Sequence, residues 1–227
     1  MNKKIDECQL CCNAVHPKIR AIEDTILIQN EDFICIPALG ALLPGYVLIV
    51  SKRHFIGINE ATKRELTSLN CITNEVFKHL IYKSGHIMFE HGGATCASSS
   101  SCIDHFHIHI APISQFTAAD ILSKIPIPYT IKNKTTKQEI QQLSTNAPYL
   151  MISDKTETYH LASPSFPSQL IRRVIATMLG MKDEWNWTIY THENNIKKTI
   201  EIFNEPTKNE HSRPPLWILS YQESATQ

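Results

Sequence analysis

Asp104-His105-Phe106-His107-Ile108-His109-Ile110-Ala111-Pro112 constrains this 227-residue chain more than any other stretch. Three histidines alternate with three apolar residues. Successive side chains of a strand point to opposite faces. A strand here puts His105, His107 and His109 on one face and Phe106, Ile108 and Ile110 on the other. A helix would scatter both sets around its axis. The expectation is a core-facing apolar row backed by an exposed row of three imidazoles. Such a row on a rigid element points to chemistry rather than packing.

The rest of the chain can supply the core that such a strand needs. Hydrophobic residues make up 42% of it, which argues against wholesale disorder. Lysine plus arginine equals aspartate plus glutamate, 22 against 22. General nucleic-acid binders and anionic-membrane binders carry a basic excess, so neither is expected. No apolar run reaches the length of a membrane span. The start, Met1-Asn2-Lys3-Lys4-Ile5-Asp6-Glu7, turns acidic where a secretory leader is apolar. The chain therefore reads as cytoplasmic. Its seven cysteines read as thiols or metal ligands rather than a disulfide framework.

Residues 25–30 and 33–37 are β-rich runs around Glu31-Asp32 and read as a hairpin. A proline-bounded loop from Pro37 to Pro44 follows, then an apolar strand, Gly45-Tyr46-Val47-Leu48-Ile49-Val50, closing on Ser51-Lys52-Arg53-His54. Asn59 or Thr62 can cap a helix running to about Tyr82. Ile87 to Glu90 is a short strand, and His91 to Cys102 a loop of small residues. Residues 114–146 are polar, with a short helix expected from Thr136 to Leu143. Two strands (149–152 and 158–162), a helix from Pro167 to Leu179 stopped at Gly180, and a helix near Glu193 to Phe203 complete the pattern. A last apolar run is Leu216-Trp217-Ile218-Leu219. The expected divisions are 1–115, a polar connection over 116–146, and a C-terminal extension over 147–227.

Cys8 and Cys11 stand at knuckle spacing and could share one zinc; the plainer reading is two ordinary thiols. Arg172 and Arg173 read as a solvated helix face, and Trp185 and Trp187 as cover for the core. His16, His79, His86, His160, His192 and His211 form no pattern.

Residues 8–112 resemble the histidine triad (HIT) superfamily. The resemblance rests on Cys8-x-x-Cys11, the strand from Gly45 to Val50 closing on Lys52-Arg53-His54, and His105-x-His107-x-His109-Ile110-Ala111-Pro112. It covers about half the chain. It implies an α+β fold, an antiparallel sheet with packed helices, here followed by a C-terminal α/β extension. It also implies the homodimer that many members form. Members hydrolyse or transfer nucleotides at the α-phosphate. The chain departs from the family pattern at Tyr46, Ser51 and Glu90, and its loop lacks the usual Gly-Gln-Ser.

The resemblance makes His107 the nucleophile, forming a covalent nucleotidyl-histidine. It gives His109 a phosphate oxygen or the departing group, and His105 support of the row. Glu90, His91, Gly92, Ser100 and Ser101 are then the phosphate-side residues, with Glu90 expected to orient a neighbour such as His91. In zinc-bearing relatives the first triad histidine joins two N-terminal cysteines and the histidine after the basic strand end. Here that set is Cys8, Cys11, His54 and His105, holding a structural zinc that the chemistry does not require. The expected partner is a nucleotide-containing small molecule. Two other readings stand beside this one. A metal-dependent hydrolase would use the triad histidines as ligands. A non-catalytic nucleotide-binding module would use residues 113–227 as its partner surface.

Overall fold

A computed structural model describes residue 8, residues 10–11, 21–80, 85–92, 103–134, 148–164 and 166–206. Ser100, Ser101, the expected helix at 136–143 and the run at 216–219 lie outside the described residues. Among the described residues, eight strands form one antiparallel sheet, and four α-helices pack on it. The strands are β1 (Ile28–Gln29), β2 (Phe33–Pro37), β3 (Val47–Ser51), β4 (Ile87–Gly92), β5 (His107–Ala111), β6 (Thr130–Lys134), β7 (Tyr149–Ser153) and β8 (Thr158–Ala162). Their order across the sheet is β1-β2-β3-β5-β4-β7-β8-β6. The histidine strand is therefore central, hydrogen-bonded to β3 on one side and β4 on the other.

The alternation expected of β5 holds. Ile108 and Ile110 pack with Phe106 against α1 (Lys63–His79), while His107 and His109 face the other layer. Helix α1 starts at Thr62, whose hydroxyl accepts from the Glu65 amide while the Glu65 carboxylate accepts from the Thr62 amide. Leu66, Leu69, Ile72, Val76 and Phe77 fall at three- and four-residue intervals and bury one helix face. Glu65 also takes the Arg53 guanidinium at 2.7 and 2.9 Å, which pins the end of β3 to the helix and drops the Glu65 pKa to about 2.

The second layer is built mostly by the C-terminal half. Helix α3 (Leu170–Met178) buries Leu170, Ile171, Val174 and Ile175 against Ile34, Ile36, Leu48, Phe89, Leu150 and Ile152. The path that brings it there is the pairing of β7 with β4, from Met88↔Ser153 to Gly92↔Tyr149. Strands from both halves thus share one sheet. Two elements arise in the segment read from its polarity as a connection: α2 (Ala118–Leu122) and β6, which pairs with β8. Thr117 and Asp120 form a reciprocal cap that starts α2, and Ile121 and Leu122 give it a buried side. Five residues are too short a window for that pattern to stand out.

Helix α4 (Glu193–Asn204) and the residues before it clamp the loop between β2 and β3. The Gly40 amide donates to Thr191 O at 3.0 Å, Asn195 Nδ2 to Ala41 O at 2.8 Å, and the Gly45 amide to Thr199 Oγ1 at 2.8 Å. Gly40 has φ +69, and a Cβ there would come within 2.6 Å of Trp187 Cβ. Glycine supplies both the conformation and the close approach.

Candidate active site and metal centre

The imidazole row is not exposed, contrary to the expectation from alternation alone. His105 is buried at 2% exposure against the N-terminal cysteines and His54, and His107 is buried at 9% on the face that the C-terminal half covers. A cavity of about 90 Å³ remains between the sheet and the C-terminal half. His107, His109 and His91 enter it from the central strands, and Arg172, Gln169 and Trp187 from the C-terminal half. Ile36, Leu39, Leu48 and Ile103 give it an apolar wall, and Glu23 and Asp24 line it from the turn before β1.

His107 is held in one tautomer. Its Nδ1–H donates to the backbone carbonyl of His105 at 2.7 Å. Nε2 is therefore the unprotonated nitrogen. Burial lowers the His107 pKa, against the opposing effect of that carbonyl, so the neutral ring is the favoured form. A neutral imidazole with an exposed lone pair is the form that attacks phosphorus.

His109 is fixed differently. Its ring stacks on Phe89, with centroids 4.3 Å apart and planes 5° from parallel, and Nδ1 lies 2.9 Å from the Tyr46 hydroxyl. Burial raises the Tyr46 pKa, so the phenol keeps its proton. The Arg172 guanidinium lies 5.6 Å from the Tyr46 ring centroid. A hydroxyl beside a cation turns its lone pairs to the charge and its proton elsewhere, here to His109 Nδ1. His109 then carries its own proton on Nε2. The two neighbouring rings, 4.9 Å apart, differ in kind: His107 offers a lone pair and His109 an N–H. Tyr46 is a residue that the sequence marked only as a departure from pattern.

His105 leaves the row. It precedes β5, and its Nε2–H donates to the Ser51 carbonyl at 2.6 Å. That bond leaves Nδ1 as a lone pair, 3.5 Å from Cys8 Sγ, 3.3 Å from Cys11 Sγ and 3.2 Å from His54 Nδ1. Cys11 Sγ is also 3.2 Å from His54 Nδ1. A tetrahedral zinc, with Zn–S about 2.3 Å and Zn–N about 2.0–2.1 Å, separates such donors by about 3.3–3.8 Å. Four soft or borderline donors at nearly that spacing, one oriented by a carbonyl behind it, fit zinc well. Among the described residues this is the one group of three or more potential ligands whose donor atoms converge, all within 4.8 Å. His107 and His109 are not part of it.

The remaining expected site residues divide by strand alternation. His91 shares the triad face, and burial lowers its pKa to about 3. Its Nε2 is buried with no hydrogen-bond partner among the described residues. Glu90 is not brought to this face. It points into the α1 layer, 1% exposed, where Oε1 accepts from the Tyr149 hydroxyl at 2.7 Å and from the Ile58 amide at 3.0 Å. It neither touches the cavity nor orients His91. Gly92 lies against the Tyr149 ring, where a Cβ would come within 1.9 Å of Cζ. The basic cluster is occupied elsewhere too: Arg53 holds Glu65, and Lys52 Nζ donates to Asn30 O at 2.6 Å. Arg172, read from sequence as a solvated face, is 3% exposed and lines the cavity. Trp187 lines it as well, while Trp185 stacks under the Arg173 guanidinium at 3.9 Å.

Residues 20–116 match the model of the HIT domain. No curated protein matches the chain. Among solved structures, a HIT family hydrolase from Legionella pneumophila is similar at 17% identity and TM-score 0.39, covering 49% of this chain and 97% of its own. Yeast Ap4A phosphorylase in complex with AMP is similar at 12% identity and TM-score 0.39, over 66% of this chain and 63% of its own. A DUF4931 family protein from Bacillus cereus is similar at 12% identity and TM-score 0.43, over 80% of this chain and 100% of its own. The match to the HIT domain model thus ends at residue 116, while the sheet and helices of the chain continue beyond it.

Proposed function

We propose that the protein is a nucleotide hydrolase or nucleotidyltransferase acting at an α-phosphate, with His107 as the nucleophile. The observation that carries this reading is the 2.7 Å bond from His107 Nδ1 to the His105 carbonyl, which leaves Nε2 unprotonated at the cavity. In the first step Nε2 bonds to the α-phosphorus and the bond to the leaving group breaks. The leaving group takes the electron pair, and the N–H of His109 supplies a proton or holds a phosphate oxygen. In the second step water, or the hydroxyl or phosphate of an acceptor, attacks phosphorus; the P–N bond breaks with its electron pair returning to His107 Nε2, and any proton the attacking group loses returns to His109 or to solvent. The apolar wall of Ile36, Leu48 and Leu39 suits a nucleobase, and the carboxylates of Glu23 and Asp24 suit ribose hydroxyls.

Cys8, Cys11, His54 and His105 are proposed to hold a structural zinc. Bound there, zinc would cross-link the N-terminal cysteines to the entrance of β5 and stiffen the carbonyl that sets the His107 tautomer.

The test is covalent trapping. The protein is incubated briefly with a mixed nucleotide panel, quenched at alkaline pH because phosphoramidates are acid-labile, and measured by mass spectrometry. A nucleotidyl adduct on His107, lost in His107→Ala, supports the reading. Turnover without an adduct, unchanged in His107→Ala, refutes it.

A further inference from the structure

The C-terminal half places a buried cation in the cavity. Arg172 Nη2 donates to Gly40 O at 2.7 Å and Nε to Trp185 O at 3.2 Å. The ion pairs formed by the described residues involve Arg53, Arg64, Lys78, His192 and Lys197, and none involves Arg172. Glu23 and Asp24 line the same cavity. The two carbonyls satisfy N–H groups but do not neutralise the charge. A neutral amide side chain could serve two carbonyls equally. Burying a guanidinium without a counter-charge is strongly unfavourable. Around it the imidazoles are no help: burial first, and then the nearby charge of Arg172, disfavours protonation of His109.

We infer that Arg172 is the anion-binding residue of the cavity, taking a phosphate oxygen of the nucleotide beside His109. The inference rests on the nucleotide reading above and adds a group from outside the HIT domain. Arginine suits this task because its planar donor fork stays charged and can serve carbonyls and phosphate together. The counter-charge that the fold omits is then brought by the ligand. The clamp on Gly40 has a purpose in this arrangement: it fixes the acceptor that aims the guanidinium.

The experiment is calorimetric titration of the full chain with AMP, GMP, CMP and UMP and with the four matching nucleosides, repeated for Arg172→Gln and Arg172→Lys. The wild type is expected to bind at least one monophosphate about 10–100-fold more tightly than its nucleoside, the range of charge-assisted hydrogen bonds. Arg172→Gln is expected to lose most of that difference while nucleoside affinity stays within about 2-fold, and Arg172→Lys to keep part of it. Wild type that does not prefer a monophosphate overturns the inference. So does an Arg172→Gln variant that keeps the preference, or that loses both affinities together. If Arg172→Gln does not fold, a crystal structure of the wild type with its tightest monophosphate decides. Phosphate within hydrogen-bond reach of the guanidinium supports the inference, and phosphate elsewhere overturns it. Covalent trapping keeps the two readings apart. An adduct on His107 with Arg172-independent affinity defeats this inference alone. Arg172-dependent affinity without an adduct defeats the nucleophile alone.

Discussion

His107 Nδ1 lies 2.7 Å from the backbone oxygen of His105, two residues earlier on the same chain. The donor and acceptor belong to residues with separate tasks. The side chain of His105 turns to the cysteines, while its carbonyl sets the tautomer of His107. Whatever steadies the first histidine steadies the second.

His107→Ala removes the proposed attacking nitrogen and one buried ring at the cavity. Turnover of dinucleoside polyphosphates or nucleoside phosphoramidates is expected to fall by at least about 10³-fold, as when a covalent nucleophile is lost. Circular dichroism and melting temperature should stay close to wild type. Activity within 10-fold of wild type would remove His107 from the mechanism.

Tyr46→Phe keeps the packing and deletes the hydroxyl 2.9 Å from His109 Nδ1. The expected loss in kcat/KM is about 10–100-fold, typical of a partner that orients a working imidazole. Nitrogen-15 NMR of histidine side chains gives the independent readout. In the wild type His109 should carry its proton on Nε2, and in Tyr46→Phe that preference should weaken.

Cys11→Ser breaks the proposed zinc site at its most buried sulfur. Purified wild type is expected to contain one zinc per chain by elemental analysis, and the variant much less. A ligand at about 1,000 times its dissociation constant stabilises by about 4 kcal/mol. For a domain of this size that is a melting-temperature drop of about 8–16 °C on chelation or in the variant. A wild type with neither bound zinc nor response to chelator would show the four donors to be thiols and imidazoles only.

Glu90 predicts a pH dependence of stability. Burial raises its pKa to about 8, against the opposing hydrogen bonds from Tyr149 and the Ile58 amide. The folded state therefore binds more protons than the unfolded state between the ordinary carboxyl range and about 8. Stability is fully present below that range and falls as pH rises through about 8. Glu90→Gln keeps the shape and cannot ionise. Chemical denaturation from pH 5 to 9 should show this decline in the wild type and a flatter curve in Glu90→Gln, with the variant gaining on the order of a few kcal/mol at the alkaline end. Identical slopes would mean that Glu90 is charged in its pocket.

Much of the architecture was legible locally. Alternation over six residues placed Phe106, Ile108 and Ile110 against one layer and His107 and His109 against the other. The Thr62 cap and the three- and four-residue spacing that follows marked α1. Alternation also held the answer for Glu90. In β4, Phe89 and His91 share one face and Met88 and Glu90 the other, so a strand that presents His91 to the triad must turn Glu90 away.

Periodicity says which side chains share a face, because strand and helix geometry repeat every two or 3.6 residues. It does not say what packs against that face. Covering the imidazole row required β7 to pair with β4 and α3 to settle on the opposite layer. The same docking turned Arg172 from a charge on a helix into a buried group on a carbonyl 132 residues away. Contacts at that separation are set by the closure of the whole sheet, and no local pattern carries them. The chain's own order of residues thus set the histidine strand and its two faces, and the long-range fold set the cavity and the cation that reaches it.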